Sequence, residues 1–290
     1  MNLIYYNTVF CDWLDITYSP EDDIIPDLVS FLGASNFITK DRTFDLKQSY
    51  YPEGDGNYGS IVFEVRSTFV RVSASGGAIS FLRGQGLFPD YLALLSQSPH
   101  TVTRLDAAFD VSRDFPTILH GLRSHHKGYA SFTRKQYKVR ELLSVRDDGK
   151  KSGTYYIGSP RGRISGRIYD KQLEMLEKRK LRVDTCTRYE VTFRKGVTLK
   201  DALNPEPLFW AHADVLKIGH LKPSGVSDWV DGSDFTGWTY ERPEKTAYAK
   251  LARRVEVSGC LTDLINLADD FGPEGRTVLL RLISKRLDDS

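Results

Sequence analysis

The sequence predicts an α+β fold: antiparallel sheets with helices packed on one face. Three observations predict it. Short alternating segments rich in Tyr, Phe, Ile and Val recur along residues 3–194. Brief helical stretches separate them. The order strand, helix, strands, helix then runs twice, which suggests two tandem related α/β units although the two halves share no visible sequence similarity.

Residues 3–18 alternate and read as a strand ending at the Ser19-Pro20 breaker. Pro26 to Leu32 reads as a short helix entered through acidic residues, which suit a helix N-terminus. Ser60 to Ser75 reads as one or two antiparallel strands before Gly76-Gly77. Those glycines, like Gly84-Gln85-Gly86, suggest turns that need positive φ. Phe88 to Ser96 repeats Tyr91, Leu92 and Leu95 at helix spacing. Val102 to Val111 alternates as a strand, and Phe115 to Ser124 is a helix that Asp114 can cap. Gly153 to Ser159 and Gly166 to Asp170 read as paired strands about a Pro160-Arg161-Gly162 turn. Lys171 to Lys180 is helix-forming, and Arg188 to Arg194 alternates as a strand. Residues 200–245 read as an irregular connector, and Glu244 to Leu287 as two helices parted near Phe271-Gly272-Pro273. The expected organisation is an N-terminal α+β unit (1–100), a catalytic unit (101–200), and a connector with C-terminal helices (201–290).

The chain has 290 residues, enough for one large domain or two smaller ones, and 40 Lys+Arg against 38 Asp+Glu. That near-neutrality conceals a gradient. Residues 1–60 hold three basic and ten acidic residues, a net of −7, whereas residues 134–195 hold eighteen and eight, a net of +10. Tyr129, Phe132, Tyr137, Tyr155, Tyr156, Tyr169 and Tyr189 interleave with the basic residues. Cations that hold a backbone and rings that stack on bases suit single-stranded nucleic acid. Cys11, Cys186 and Cys260 form neither a CxxC pattern nor an even disulfide framework, so a reducing cytoplasm is expected. No apolar run is long enough to span a bilayer, and the start MNLIYYNTVFCDW lacks a signal-peptide pattern.

Three segments carry chemistry. In TRLDAAFDV the strand period of two puts Asp106, Ala108 and Asp110 on one face. Paired carboxylates there can hold Mg²⁺, or simply form the solvent side of an amphipathic strand. In TRYEVTFR, Arg188, Glu190, Thr192 and Arg194 share a face, so Glu190 is either a third metal carboxylate or half of a cross-strand ion pair. In YYIGSPRGRISGRIYDKQLE, Tyr169 stands between Arg167 and Lys171 where a strand passes into a helix. Neighbouring cations favour a phenolate, the better nucleophile towards a phosphodiester.

Taken in chain order, TRLDAAFDV, YYIGSPRGRISGRIYDKQLE and TRYEVTFR resemble the replication initiation factor family, the rolling-circle Rep proteins of staphylococcal-type plasmids and of filamentous and related phages. The resemblance covers roughly residues 101–195, and Asp12-Trp13-Leu14 resembles a start common among phage members. It implies a DNA nicking-religating endonuclease that binds an origin. A tyrosine at the Tyr169 position attacks one strand, remains linked to the 5′ phosphate and leaves a 3′-OH. It further implies a supporting role for Lys171, and Mg²⁺ or Mn²⁺ on Asp106, Glu190 and Asp110. Arg161, Arg163, Arg167, Arg188 and Arg194 become DNA-binding candidates. Double-stranded origin DNA with an extruded single-stranded region, a host helicase and a second copy of the chain are the implied partners, in the cytoplasm of a bacterial host and away from membranes.

The other rolling-circle class binds metal through His-hydrophobic-His, and His125-His126 are adjacent instead, so the pair is expected at the surface. No GxxxxGK[ST] marks an NTPase. The competing reading is a non-catalytic, sequence-specific DNA-binding regulator of phage or plasmid with the same fold.

Overall fold

The computed structural model describes residues 8–39, 47–53, 59–132, 137–145, 149 and 151–223. The chain divides into Met1–Phe235 and Thr236–Ser290, and all described residues lie in the first unit. The helices expected beyond Glu244 fall outside them.

In chain order the elements are β1 (Val9–Tyr18), α1 (Ile25–Ala34), β2 (Phe37–Thr39), β3 (Lys47–Pro52), β4 (Ile61–Arg66), β5 (Phe69–Ser75), α2 (Gly76–Gly84) and α3 (Phe88–Leu95). The second half follows with β6 (His100–Val111), α4 (Phe115–His126), the small β7 (Tyr129–Ala130) and β8 (Tyr137–Lys138), β9 (Arg140–Val145), β10 (Lys151–Ile157), β11 (Ile164–Asp170), α5 (Lys171–Arg179) and β12 (Thr187–Phe193). Three short helices close it: α6 (Leu199–Leu203), α7 (Glu206–Trp210) and α8 (Ala213–Leu216).

Ten strands form one antiparallel sheet in the order β2-β3-β4-β5-β1-β6-β12-β11-β10-β9. The chain leaves β1 through α1 to the edge strand β2, then winds back through β3 and β4 until β5 lies beside β1. From β6 it repeats the route through α4 to the edge strand β9 and back to β12 beside β6. The two rounds read from the sequence are therefore a duplicated topology, joined where β1 pairs with β6. The α+β class with antiparallel sheet stands as expected.

One face of the sheet is apolar. Leu14 and Ile16 of β1, Ala74 and Val72 of β5, Leu105, Ala107 and Phe109 of β6, Val191 and Phe193 of β12 and Tyr155 of β10 lie buried there. Helices pack over it: Phe109 meets Trp210 of α7 at 5.0 Å between ring centres, and the Tyr18 hydroxyl donates to the Leu95 carbonyl of α3 at 2.9 Å. Burial of each large apolar side chain stabilises by about 1.5–3 kcal/mol, so this face anchors the strands that carry the site.

Capping follows the sequence closely. Asp114 accepts from the Thr117 amide at 3.1 Å and starts α4 as expected. Asp170 accepts from the Leu173 amide at 2.8 Å, which ends β11 and starts α5 within one residue.

Several expectations are corrected. Gly76-Gly77 opens α2 rather than a turn, and a Cβ on Gly76 would clash with the Asp12 carboxylate and come within 2.6 Å of the Asp12 backbone oxygen. Close approach, not positive φ, selects glycine there; Gly86, by contrast, does take φ +73°. His125-His126 sits on a helix, where adjacent residues diverge. His125 is exposed, whereas His126 is buried between the Tyr155 hydroxyl at 2.9 Å and the Val215 carbonyl at 3.0 Å. Residues 200–216, read as irregular, lie in α6 to α8 and the turns between them because Thr198 and Asp201 make a capping box and Leu208, Phe209 and Trp210 find the core. The edge strand β9 was not foreseen: RELLSV is mostly exposed and reads locally as part of the basic stretch. Among the described residues no helix is long and apolar enough to cross a membrane.

Candidate active site

The apolar sides of β6, β12 and β11 face the helices, so their polar sides must share the opposite face. Register decides which side chains meet. Arg188 lies opposite Asp110, Glu190 opposite Ala108 and Thr192 opposite Asp106. One strand further, Tyr169 lies opposite Arg188 and Arg167 opposite Glu190. Directly opposed residues project to the same face. Three segments far apart in sequence thus place Asp106, Asp110, Arg167, Tyr169, Arg188 and Glu190 on one surface. Strand β1 adds Asp12 at an irregularity between Cys11 and Trp13, where the register with β6 slips. A bulge of this kind re-aims a side chain.

This face is not the solvent side of an amphipathic strand. Asp106, Asp110, Arg188 and Glu190 are all 2% exposed or less, since both central strands are covered on both sides. Buried charge must be paired, and each carboxylate here has an arginine. Arg188 holds Asp110 with two bonds of 2.7 and 2.8 Å and reaches Asp12 at 2.8 Å. Arg167 grips Glu190 with bonds of 2.6 and 2.7 Å, and Arg104 grips Asp106 through Nε at 2.9 Å and through Nη2. The ion-pair alternative for Glu190 is therefore realised. Burial, the Asp106 carboxylate and that of Asp12 nevertheless push Glu190 up to about 8 against the pull of Arg167.

Tyr169 occupies the end of β11, and its ring meets the Arg167 guanidinium at 4.9 Å and the Lys171 ammonium at 5.7 Å. The expectation that these cations favour phenolate is overturned. Burial raises the phenol well above its ordinary range, and Glu190, Glu174 and Asp12 add to the shift, while Arg188 only partly opposes it. Desolvation outweighs attraction because the hydroxyl lies within the covered face. Lys171 moves the other way: burial and Arg188 lower its pKa, although Glu174 accepts from it at 2.7 Å.

The DNA-binding candidates separate. Arg161 and Arg163 are exposed at the β10–β11 turn, and Arg167 and Arg194 are half-buried on the site face. Arg188 is enclosed by carboxylates and Phe10. Sequence reading missed Arg104, Asp12 and Arg140. The first shares Asp106's face by strand period and could have been found; the other two depend on a β-bulge and on the unforeseen β9.

The metal expectation meets an obstacle. A hard divalent ion wants carboxylate oxygens with open coordination sites. Arg188, Arg104 and Arg167 each take both oxygens of Asp110, Asp106 and Glu190, and no group of three His, Cys, Asp or Glu among the described residues is placed to hold an ion. The donor set as arranged does not fit a metal centre.

Comparison with known proteins agrees with this architecture. Residues 100–204 match the sequence model of a family described as Replication initiation factor, so the resemblance read from the motifs holds over the segment from β6 to α6. Among solved structures, a rolling circle replication initiator protein from Geobacillus stearothermophilus superposes with a TM-score of 0.50 at 17% identity. The match covers 77% of this chain and 99% of that one, and it shows a common fold. Comparison with curated protein sequences gives no match.

Proposed function

We propose that this chain initiates rolling-circle DNA replication by nicking one strand of an origin through Tyr169. Register carries the reading. Tyr169 lies directly opposite Arg188 and two residues from Arg167, on a face where the three motif strands converge. The family match over residues 100–204 supports it.

In the proposed step the Tyr169 phenol oxygen bonds to phosphorus and the P–O3′ bond breaks. The 5′ phosphate stays on the tyrosine and the departing oxygen becomes a 3′-OH. Burial keeps the phenol protonated, so its proton must leave as the bond forms. Lys171 stands beside the ring and is the proposed relay, giving a proton to the 3′ oxygen and regaining one from the phenol. Arg167 is placed to offset the charge that develops on the phosphoryl oxygens. Religation is the reverse attack by a 3′-OH. Arg161 and Arg163, exposed at the turn, would hold the flanking backbone. A host helicase would supply unwinding, since the sequence carries no GxxxxGK[ST] motif, and a second copy of the chain is a further partner of this reading, set in the bacterial cytoplasm.

Incubation with supercoiled cognate origin DNA and Mg²⁺ is expected to yield nicked circles and a detergent-resistant protein–DNA adduct. Tyr169→Phe should lose both while melting like wild type. Full nicking by Tyr169→Phe would overturn the nucleophile, and a wild type that never nicks its origin would make the chain a DNA-binding regulator.

A further inference from the structure

Beside the carboxylate cluster the same face opens into a cavity of about 120 Å³. Its walls come from β6, β9, β10, β11 and β12, and the side chains that matter are Arg104, Arg140, Tyr156, Arg167, Glu190 and Arg194. Arg167 lines the cavity and also touches the Tyr169 ring, so cavity and phenol are neighbours, about 7 Å apart along β11 by strand rise.

Two of these arginines are committed, Arg104 to Asp106 and Arg167 to Glu190. Arg194 is different. Its side chain donates only a long bond of 3.4 Å to the Ser165 hydroxyl and has no carboxylate partner among the described residues. It is half-buried, and burial and the like charge of Arg104 disfavour its cation more than the nearby Asp106 and Asp15 carboxylates favour it. Four guanidiniums, those of Arg104, Arg140, Arg167 and Arg194, line this space with the single carboxylate of Glu190, and that excess of positive charge makes a site for an anion. Across the cavity the Arg140 guanidinium lies 5.3 Å from the centre of the Tyr156 ring. That pair presents the flat surfaces on which a base stacks. A duplex buries its base faces, so an anion site joined to a stacking platform suits an unpaired nucleotide.

We propose that this cavity seats one nucleotide of single-stranded DNA, next to the one whose phosphodiester Tyr169 attacks, with Arg194 on its phosphate and Tyr156 on its base. The assignment rests on the nicking reading for its catalytic neighbour, but its test does not need catalysis. A fluorescently labelled oligothymidylate is titrated into Tyr169→Phe protein, where no adduct can form, and affinity is read by anisotropy across salt concentrations.

Adding Tyr156→Ala should weaken binding by about 5- to 150-fold with little change in salt slope, and Tyr156→Phe should restore it. Arg194→Ala should reduce the salt slope by about one and weaken binding. Arg66→Ala, on β4 in the other half of the sheet and paired with Glu64, serves as the control that leaves binding unchanged. Wild-type affinity and slope in both Tyr156→Ala and Arg194→Ala would overturn the cavity assignment. If those two weaken binding yet wild type forms no adduct at its origin, the cavity stands and the nucleophile falls.

Discussion

Arg188 is the strongest test of what holds the site together. Its side chain is 2% exposed and joins Asp110, which is fully buried, to Asp12, whose side chain is 15% exposed. At the 2.7 Å separation of the Asp110 pair, Coulomb attraction at an effective dielectric of 20 amounts to about 6 kcal/mol. Desolvation of the two ions, several kcal/mol each, offsets most of that. Replacement of Arg188 by Met removes the attraction it supplies to both carboxylates. Asp12 can hydrate; Asp110 cannot. The expected loss is therefore that of a broken buried pair, about 3–5 kcal/mol. At roughly 2–4 °C per kcal/mol for a domain of this size, the melting point should fall by about 6–20 °C. The double variant Arg188→Met, Asp110→Leu removes the stranded charge as well and should recover most of the stability. Urea denaturation monitored by circular dichroism reads both values. A single variant that loses under about 1 kcal/mol, or a double variant no better than the single, would refute the claim that this pair is a buried structural link.

Two further outcomes follow, one from the apolar face and one from the site face. Burial pushes His212, between the Phe132 and Phe193 rings, down to about 4. The unfolded chain then binds the proton first, so the stability His212 contributes is present above about 6.5 and is lost as pH falls towards 4. His212→Gln should flatten the stability profile across that window, and an unchanged profile excludes His212 as its source. Separately, if Arg104 occupies the place an ion would take on Asp106, Arg104→Ala should tighten Mn²⁺ binding to the DNA-free protein, measured by electron paramagnetic resonance. Equal or weaker binding would show that the arginine is no obstacle.

Local chemistry made much of this legible in advance. Period-two alternation predicted β6 and β12, and it correctly put Asp106 with Asp110 and Arg188 with Glu190. The Asp114 cap and the strand-to-helix passage at Asp170 were visible because a cap is made within three residues. Strand β9 and the helix at Gly76 were not, because their reasons lie elsewhere in the chain. An exposed RELLSV segment becomes a strand by pairing with β10, and Gly76 is explained by the Asp12 it touches.

The sequence by itself determined the class of fold, the duplicated order of elements, the basic middle of the chain and the residues that bear charge. Tertiary structure alone decided what those charges do. Strand register set Arg188 on Asp110 and Arg167 on Glu190, so carboxylates that read as open metal ligands are held by arginine. Burial then reversed the expected shift of Tyr169. The physical reason is the same in each case. Alternation tells which residues share a face, whereas desolvation and partner choice depend on the strands laid beside them and on what covers the sheet.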